Sequence, residues 1–245
     1  MNETLAQRYL RRKRQKKRAG IIAAISSFVV IVFIIIAFCL MQVDRFTIQV
    51  DTLDLSLTLD NEKYTRELKA PPLLNATDTQ YTDIPDDIDE GFGSKNKNEE
   101  DIAYFAYSFN LKNTCEEYPT LNYEITMVLE NASKELEKAI KVLIIRNGIR
   151  TVYAQANEDG SPKPIYNGEH GAEEPEEIIG YTVPFKENKH IIFEPYCLSS
   201  NEFDKYTIVI WIDGWESDNS MRSGNFQAEL KFSTESYNNI KGDKI

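Results

Sequence analysis

The sequence predicts an all-β domain, a β-sandwich with one short helix, preceded by a single N-terminal transmembrane helix. Three observations predict this organisation. Apolar residues alternate with polar ones in several segments after residue 45, as they do in half-buried strands. Asn147-Gly148 lies between two runs rich in β-branched residues, which is a strong hairpin signal. Residues 19–41 form a run of 23 residues without a charged side chain, long enough for a helix to cross a bilayer.

The N-terminal end of the chain is strongly basic. Residues 1–18 contain eight Lys or Arg and one Glu, a net charge of +7, whereas the remaining 20 basic and 38 acidic residues give −18. The basic residues are Arg8, Arg11, Arg12, Lys13, Arg14, Lys16, Lys17 and Arg18. Because positive charge stays on the cytoplasmic side, we expect residues 1–18 to be a cytoplasmic tail beside the lipid bilayer.

Residues 19–41 are then expected to be a single-pass helix in the plasma membrane, and residues 42–245 an extracellular domain. The alternative is a cleaved signal peptide, whose apolar part has about 7–15 residues and ends in a small-x-small site. Here the run is longer, and Ala37-Phe38-Cys39 is a poor site. Phe38 before Cys39 also disfavours a lipid anchor. The strong negative charge of the exported part argues against a nucleic-acid partner.

Five segments of the exported part carry strand patterns. Residues 46–59 alternate in two phases, with a slip at Asp51-Thr52 that indicates a strand break. Residues 103–111, 121–129 and 226–232 alternate in one phase. Residues 206–212, YTIVIWI, are apolar in both phases and therefore predict a central strand covered on both faces. Short strands separated by turn signals favour a jelly-roll or Ig-like sandwich over a βαβ fold.

The remaining segments of the exported part are predicted to be a short helix and two loops. Ser133 can cap a helix over KELEKAI, in which Leu136, Ala139 and Ile140 share one face. Residues 61–101 and 156–180 are rich in Pro, Gly and acidic side chains, so both are predicted to be long polar loops. No internal repeat and no second extracellular domain are indicated.

Two groups of residues in the exported part could carry chemistry. Cys115 and Cys197 are an even pair outside the cell, compatible either with one disulfide or with two unpaired, partly buried thiols. Asp213, Glu216 and Asp218 in WIDGWESD offer oxygen ligands of the kind that calcium prefers. They lack the spacing of an EF-hand loop, so a solvated acidic turn is the favoured interpretation.

The sequence contains no recognisable nucleophile–base pair and no metal-ligand motif. Hydrolysis needs an activated nucleophile or water. We therefore predict no catalytic residue and no cofactor, and expect a protein that is not an enzyme.

Several blocks together resemble a known family. They are TLDLSLTLD, YFAYSFNLKNTC, KAIKVLIIRNG with VYAQ, and YTIVIWIDGWESD with GNFQAELKFS. Over about residues 46–60 and 101–234, they resemble the exported TasA/camelysin-like proteins of Gram-positive bacteria, especially uncharacterised clostridial relatives. The resemblance implies a jelly-roll-like β-sandwich at the cell surface, in a family where some members assemble into biofilm-matrix fibres. It carries over no peptidase activity, since nothing here resembles a zinc-protease motif.

These observations predict a membrane-anchored extracellular surface protein whose non-enzymatic domain serves cell-envelope, matrix or adhesion-type interactions. The expected partners are other surface or matrix proteins, or a second copy of the chain joined by strand addition. The alternative is a sensory or ligand-binding ectodomain. It would recognise a carbohydrate or calcium through residues 213–218 and the loop at 156–180.

Overall fold

The computed structural model describes most of the chain after residue 45. The described residues are 31–32, 46–60, 63–70, 79–99, 102–116, 120–129, 132–133, 135–168, 177–186, 190–192, 196–221, 224 and 226–234. The chain divides into two compact units, Met1–Val43 and Asp44–Ile245.

Only Ile31 and Val32 of the first unit are described, and both are helical. The basic residues 8–18 and the rest of the predicted transmembrane helix lie outside the described residues. In the described part of the chain, no helix is long and apolar enough to cross a membrane.

The described part of the second unit is almost entirely β-structure, as predicted. Its strands are β1 Phe46–Val50, β2 Leu55–Thr58, β3 Glu67–Ala70, β4 Gly93–Ser94, β5 Lys97–Asn98, β6 Ala103–Asn113, β7 Thr120–Leu129, β8 Ile140–Arg146, β9 Ile149–Ala154, β10 Pro164–Asn167, β11 Glu177–Tyr181, β12 Val183–Pro184, β13 His190–Ile192, β14 Tyr196–Ser199, β15 Phe203–Ile212 and β16 Ala228–Thr234. Two single 3₁₀ turns, Tyr81–Asp83 and Leu136–Lys138, accompany them.

The strands form two large sheets and one small one. The first large sheet has the order β13-β7-β16-β1-β3, with β14 also pairing with β7. The second has the order β12-β9-β8-β15-β6-β2, and β4 and β5 pair with β6. Strands β10 and β11 form a separate antiparallel pair. Strand β1 runs parallel to β16, so the first and last described strands of the domain are neighbours.

The main hydrophobic core lies between the two large sheets. It receives alternate side chains from β1, β7 and β16 on one side and from β2, β6, β8 and β15 on the other. The predicted inward phase of the first strand is confirmed, since Phe46, Ile48 and Val50 are buried. The sequence pattern also places Leu53 in phase with Leu55, but Leu53 lies in the break between β1 and β2 and is exposed.

A second hydrophobic cluster covers the opposite face of the second large sheet. It contains Leu143 from β8, Trp211 from β15, Ile165 from β10 and Ile84 from the segment before β4. Strand β15 lies between β8 and β6, and all of residues 206–212 are buried. The prediction of a central strand covered on both faces is therefore confirmed, and its two apolar phases belong to two different clusters.

The predicted hairpin between β8 and β9 is confirmed. Its turn residues, Asn147 and Gly148, both have positive φ angles, 49° and 82°. These angles are the ones that a type I′ turn requires, which explains why Asn and Gly occupy these positions.

The predicted short helix is wrong in length and start. A single 3₁₀ turn, Leu136–Lys138, replaces it, and the residue before the turn is Glu135 rather than Ser133. Glu135 has a left-handed φ of 57°, which ends any regular helix at that point. A helix of two turns gains too few hydrogen bonds to persist without tertiary support.

The two predicted polar loops contain more regular structure than their composition indicates. The described part of residues 61–101 includes β3, β4, β5 and a 3₁₀ turn, and that of residues 156–180 includes β10 and most of β11. Ile84, Ile88 and Ile165 anchor these segments in the second hydrophobic cluster. A few apolar residues among many polar ones therefore dock both segments on the sheet.

Candidate functional site

Two of the three carboxylates considered for calcium form ion pairs with lysines. Asp213 Oδ2, directly after β15, lies 2.9 Å from Lys141 Nζ of β8. Glu216 Oε2 lies 2.8 Å from Lys163 Nζ, in the residue before β10. Each carboxylate therefore already has a cationic partner from the protein itself.

The third carboxylate, Asp218, caps a turn. Its Oδ1 accepts hydrogen bonds from the hydroxyl and the backbone N–H of Ser220. These bonds hold the pKa of Asp218 below its ordinary value. Asp213, Glu216 and Asp218 do not converge, and no group of three or more His, Cys, Asp or Glu side chains in the described residues could hold a metal ion. In the described structure the turn therefore binds two lysines through Asp213 and Glu216.

The two ion pairs join the β10 region to the second large sheet. Lys141 Nζ also donates to the backbone oxygen of Pro164 at 3.1 Å. Lys163 Nζ donates to the backbone oxygen of Lys138 at 2.6 Å. Because each ammonium binds both a carboxylate and a carbonyl of a different segment, the pairs fix the turn, the 3₁₀ segment and β10 together.

A groove of about 620 Å³ opens beside this turn. Its lining residues are Glu135, Lys138, Gln155, Ala156, Asn157, Glu158, Gly160, Lys163, Phe185, Glu216, Asp218 and Met221. Phe185 and Met221 are buried and form apolar patches in an otherwise polar wall. Gln155 Oε1 is buried and has no hydrogen-bond partner. The groove therefore has the size of a small-ligand site, with both carboxylates and lysines in its wall.

A buried polar network lies between the sheets near the opposite end of β15. Asp204 Oδ2 accepts hydrogen bonds from the Tyr123 hydroxyl and from Nε and Nη2 of Arg146, the latter two at 3.1 and 2.8 Å. Asp204 Oδ1 accepts from Asn147 Nδ2 at 2.7 Å, and the hydroxyls of Tyr123 and Tyr206 are hydrogen-bonded to each other. The carboxylate is satisfied on both oxygens, so the network has a structural role and no free nucleophile or base.

The two tyrosines of this network give a pH-dependent stability. Burial raises the pKa of Tyr123 and of Tyr206 far above the ordinary value of 10. Both hydroxyls thus stay protonated in the folded chain, whereas the unfolded chain loses these protons above about pH 10. Below about pH 10, burial of the two protonated tyrosines contributes its full stabilisation. Above it, the free energy of unfolding should fall by up to about 1.4 kcal/mol per pH unit for each tyrosine.

Denaturant unfolding at several alkaline pH values measures this slope. Tyr206→Phe should make the free energy of unfolding fall less steeply with pH, since the variant has one buried phenol hydroxyl fewer. Tyr181→Phe is the matched control, because Tyr181 is exposed and water solvates its hydroxyl in both states. Equal slopes for wild type and Tyr206→Phe would contradict the expectation.

Of the two states that the sequence leaves open for Cys115 and Cys197, the structure has the unbridged one. Both residues are free thiols, Cys115 buried and Cys197 exposed. Their chain segments do lie together, since the Ser200 hydroxyl donates to the backbone oxygen of Cys115 at 3.0 Å. One side chain points into the protein and the other into solvent, which explains why neighbouring segments do not give a bridge.

Strand β11 and the residues after it form an exposed apolar segment. Ile178, Ile179, Tyr181 and Val183 are between 45% and 64% exposed. Apart from β10, no described strand pairs with β11. Four large apolar side chains within six residues form a concentrated patch, in contrast to the single exposed apolar residues that occur on any surface.

No family model matches the chain. No curated protein matches it either. The geometry of the described residues is therefore the basis for a functional interpretation.

Sequence reasoning missed the lysine partners of the turn. Lys141 interrupts the apolar run AIKVLII, and Asp213 ends the apolar run YTIVIWI. A charged residue within a buried strand needs a partner of opposite charge. This signal would have paired Lys141 with Asp213 once β8 and β15 were placed side by side. Ile178 and Ile179 lie within residues 156–180, whose overall composition predicts a polar loop, so composition does not reveal the apolar end of this segment.

Proposed function

We propose that this chain is a membrane-anchored extracellular surface protein, and that its non-enzymatic β-domain binds other surface or matrix proteins. The exposed apolar segment at residues 178–183 is the observation that carries this proposal. Apolar side chains cost free energy when they remain in water, and a partner that covers them recovers it. An exposed strand with unpaired backbone groups on one edge also invites a partner strand.

A partner strand added to β11 would cover the exposed apolar side chains and would also bind the backbone groups along the edge of the strand. The partner strand would pair with the edge of β11 that no described strand occupies, and its side chains would cover Ile178 and Ile179. The partner is a surface or matrix protein with an exposed strand, and a second copy of this chain is one such protein. No nucleic acid is expected, because the domain is strongly acidic.

The proposal includes the finer expectations from the sequence. A single-pass helix at residues 19–41, with a cytoplasmic N-terminus, would hold the domain outside the plasma membrane. The β-domain would be a jelly-roll or Ig-like sandwich of the TasA/camelysin-like kind, with a role in the cell envelope or biofilm matrix of a Gram-positive bacterium. The two packed sheets support this part of the proposal.

Ligand binding in the groove beside the turn is the second candidate function. The groove has a suitable volume, and both predicted segments, residues 213–218 and 156–180, contribute to its wall. Its wall contains carboxylate and amide groups, which suit a ligand rich in hydroxyl or amine donors, such as a carbohydrate. Binding at this site would depend on exposed residues of the wall such as Glu158, whereas binding at β11 would depend on Ile178 and Ile179.

A photo-crosslinking residue at position 179 tests the proposal in the full chain on the surface of its host cell. We expect crosslinks to a protein, because Ile179 would lie within the covered interface. Mass spectrometry of the crosslinked peptides then distinguishes a second copy from another envelope protein. Ile178→Lys should lower the crosslink yield about tenfold, since it places a charge in the same interface.

Position 149 provides the matched control. Ile149 is also an exposed isoleucine, but it lies alone at the β8–β9 turn. The same crosslinker there should give only background. A yield at position 179 no higher than at position 149 would contradict the proposed interface.

A further inference from the structure

Lys141 and Asp213 form an ion pair that water hardly reaches. Their side chains are 1% and 3% exposed, and Lys141 Nζ lies 2.9 Å from Asp213 Oδ2. Lys141 is the cross-strand neighbour of Trp211, and Asp213 follows two residues after Trp211. Both residues therefore occupy the face of the second large sheet that carries the second hydrophobic cluster.

Burial changes the chemistry available to such a pair. Two opposite charges removed from water lose their hydration, and their attraction repays this loss only in part. An amine nitrogen is a nucleophile, and a carboxyl carbon is an electrophile. The hydrogen-bond distance already holds the two groups together, so the reaction is intramolecular.

We propose that Lys141 and Asp213 condense to an intramolecular isopeptide bond. Lys141 Nζ attacks Cγ of Asp213, the new N–C bond forms, and the bond from Cγ to Oδ2 breaks. Oδ2 leaves as water. Of the three ammonium protons, two leave on that water and one remains as the amide N–H. No oxidant, reductant or further reactant is needed.

Two backbone groups fit this step. The N–H of Trp215 donates to Asp213 Oδ1 at 3.0 Å. This bond stabilises the negative charge that develops on Oδ1 in the tetrahedral intermediate, as an oxyanion-hole donor does. The backbone oxygen of Pro164 accepts from Lys141 Nζ at 3.1 Å and can keep that bond to the single N–H of the product amide. The site thus accommodates reactant, intermediate and product.

The neighbouring pair, Lys163 and Glu216, is more exposed to water than Lys141 and Asp213. The Glu216 side chain is 23% exposed, so water reaches this pair and competes with any condensation. In the described structure, no backbone N–H is hydrogen-bonded to this carboxylate. The proposal therefore concerns Lys141 and Asp213 alone, and the other pair serves as an internal control.

The mass of the full chain, purified and measured under denaturing conditions, tests the proposal. We expect the chain to be lighter than its sequence by one water molecule. After proteolysis, the peptide that contains Lys141 should remain joined to the peptide that contains Asp213. A full sequence mass would overturn the proposal and leave an ordinary buried ion pair.

Two variants identify the source of the lost water. Lys141→Arg keeps the positive charge and hence the ion pair, but a guanidinium does not deprotonate and cannot attack, so the full sequence mass should return. Glu216→Gln should keep the deficit of one water. The Asp213-Gly214 sequence could also lose water by cyclising to a succinimide. That product would persist in Lys141→Arg and would give no joined peptides, and either result would overturn the proposal.

Discussion

Replacement of Trp211 by alanine is expected to lower the free energy of unfolding by about 3–5 kcal/mol. Trp211 is fully buried in the second hydrophobic cluster, and its ring lies 6.3 Å from that of Tyr81. Removal of the indole leaves a cavity between β15 and the segments that cover it. Because a domain is typically stable by about 5–15 kcal/mol, this loss is a large part of the total. Thermal or denaturant unfolding of the full chain measures it.

Trp215 provides the matched control for Trp211. It lies four residues later, in the turn, is only half-buried and contacts the ring of Tyr166 at 6.2 Å. Trp215→Ala removes the same side chain but opens no comparable cavity, so its effect should be much smaller. Equal melting temperatures for wild type and Trp211→Ala would show that the second cluster is not a core.

Asp204→Ala is expected to destabilise the domain by about 3–5 kcal/mol, the range for breaking a buried ion pair. The substitution leaves the Arg146 guanidinium without its carboxylate and the Tyr123 hydroxyl without its acceptor. Arg146 also lies 3.7 Å above the ring of Tyr196, which limits its freedom to turn toward water. A shift of the denaturant midpoint measures the effect.

Asp86 allows the same substitution outside the core. Asp86 also pairs with an arginine, Arg150, at 3.3 Å, but its side chain is fully exposed. Such surface pairs contribute little to stability, so Asp86→Ala should leave the midpoint almost unchanged. A similar midpoint for the Asp204 and Asp86 variants would show that the buried network does not stabilise the fold.

The fold could be predicted wherever one local pattern decides the structure. The alternation at Phe46, Ile48 and Val50 locates β1, and the two apolar phases of residues 206–212 identify the central strand, because burial acts on each side chain at a fixed phase. The start of the 3₁₀ turn at Leu136 could not be predicted in this way. The left-handed Glu135 depends on how the chain packs and not on helix propensity.

The candidate site was harder to predict than the fold. Asp213 and Glu216 are evident in WIDGWESD, but their partners Lys141 and Lys163 are distant in the chain. A sequence pattern shows that a residue is charged. Only the order of the strands in the sheet shows which opposite charge lies beside it. For this reason the turn could be interpreted from sequence as a solvated loop or a calcium site, whereas in the structure two of its carboxylates meet lysines.

The parallel pairing of β1 with β16 has a consequence for how the chain is made. Phe46 pairs with Ala228, so almost the whole domain separates the two halves of this ladder. Closing so long a loop costs conformational entropy and slows folding. Synthesis runs from the N-terminus, so the apolar strand β1 exists long before β16. Until β16 is made, β3 is the one described strand that can pair with β1, and we expect the incomplete domain to be prone to aggregation over that interval.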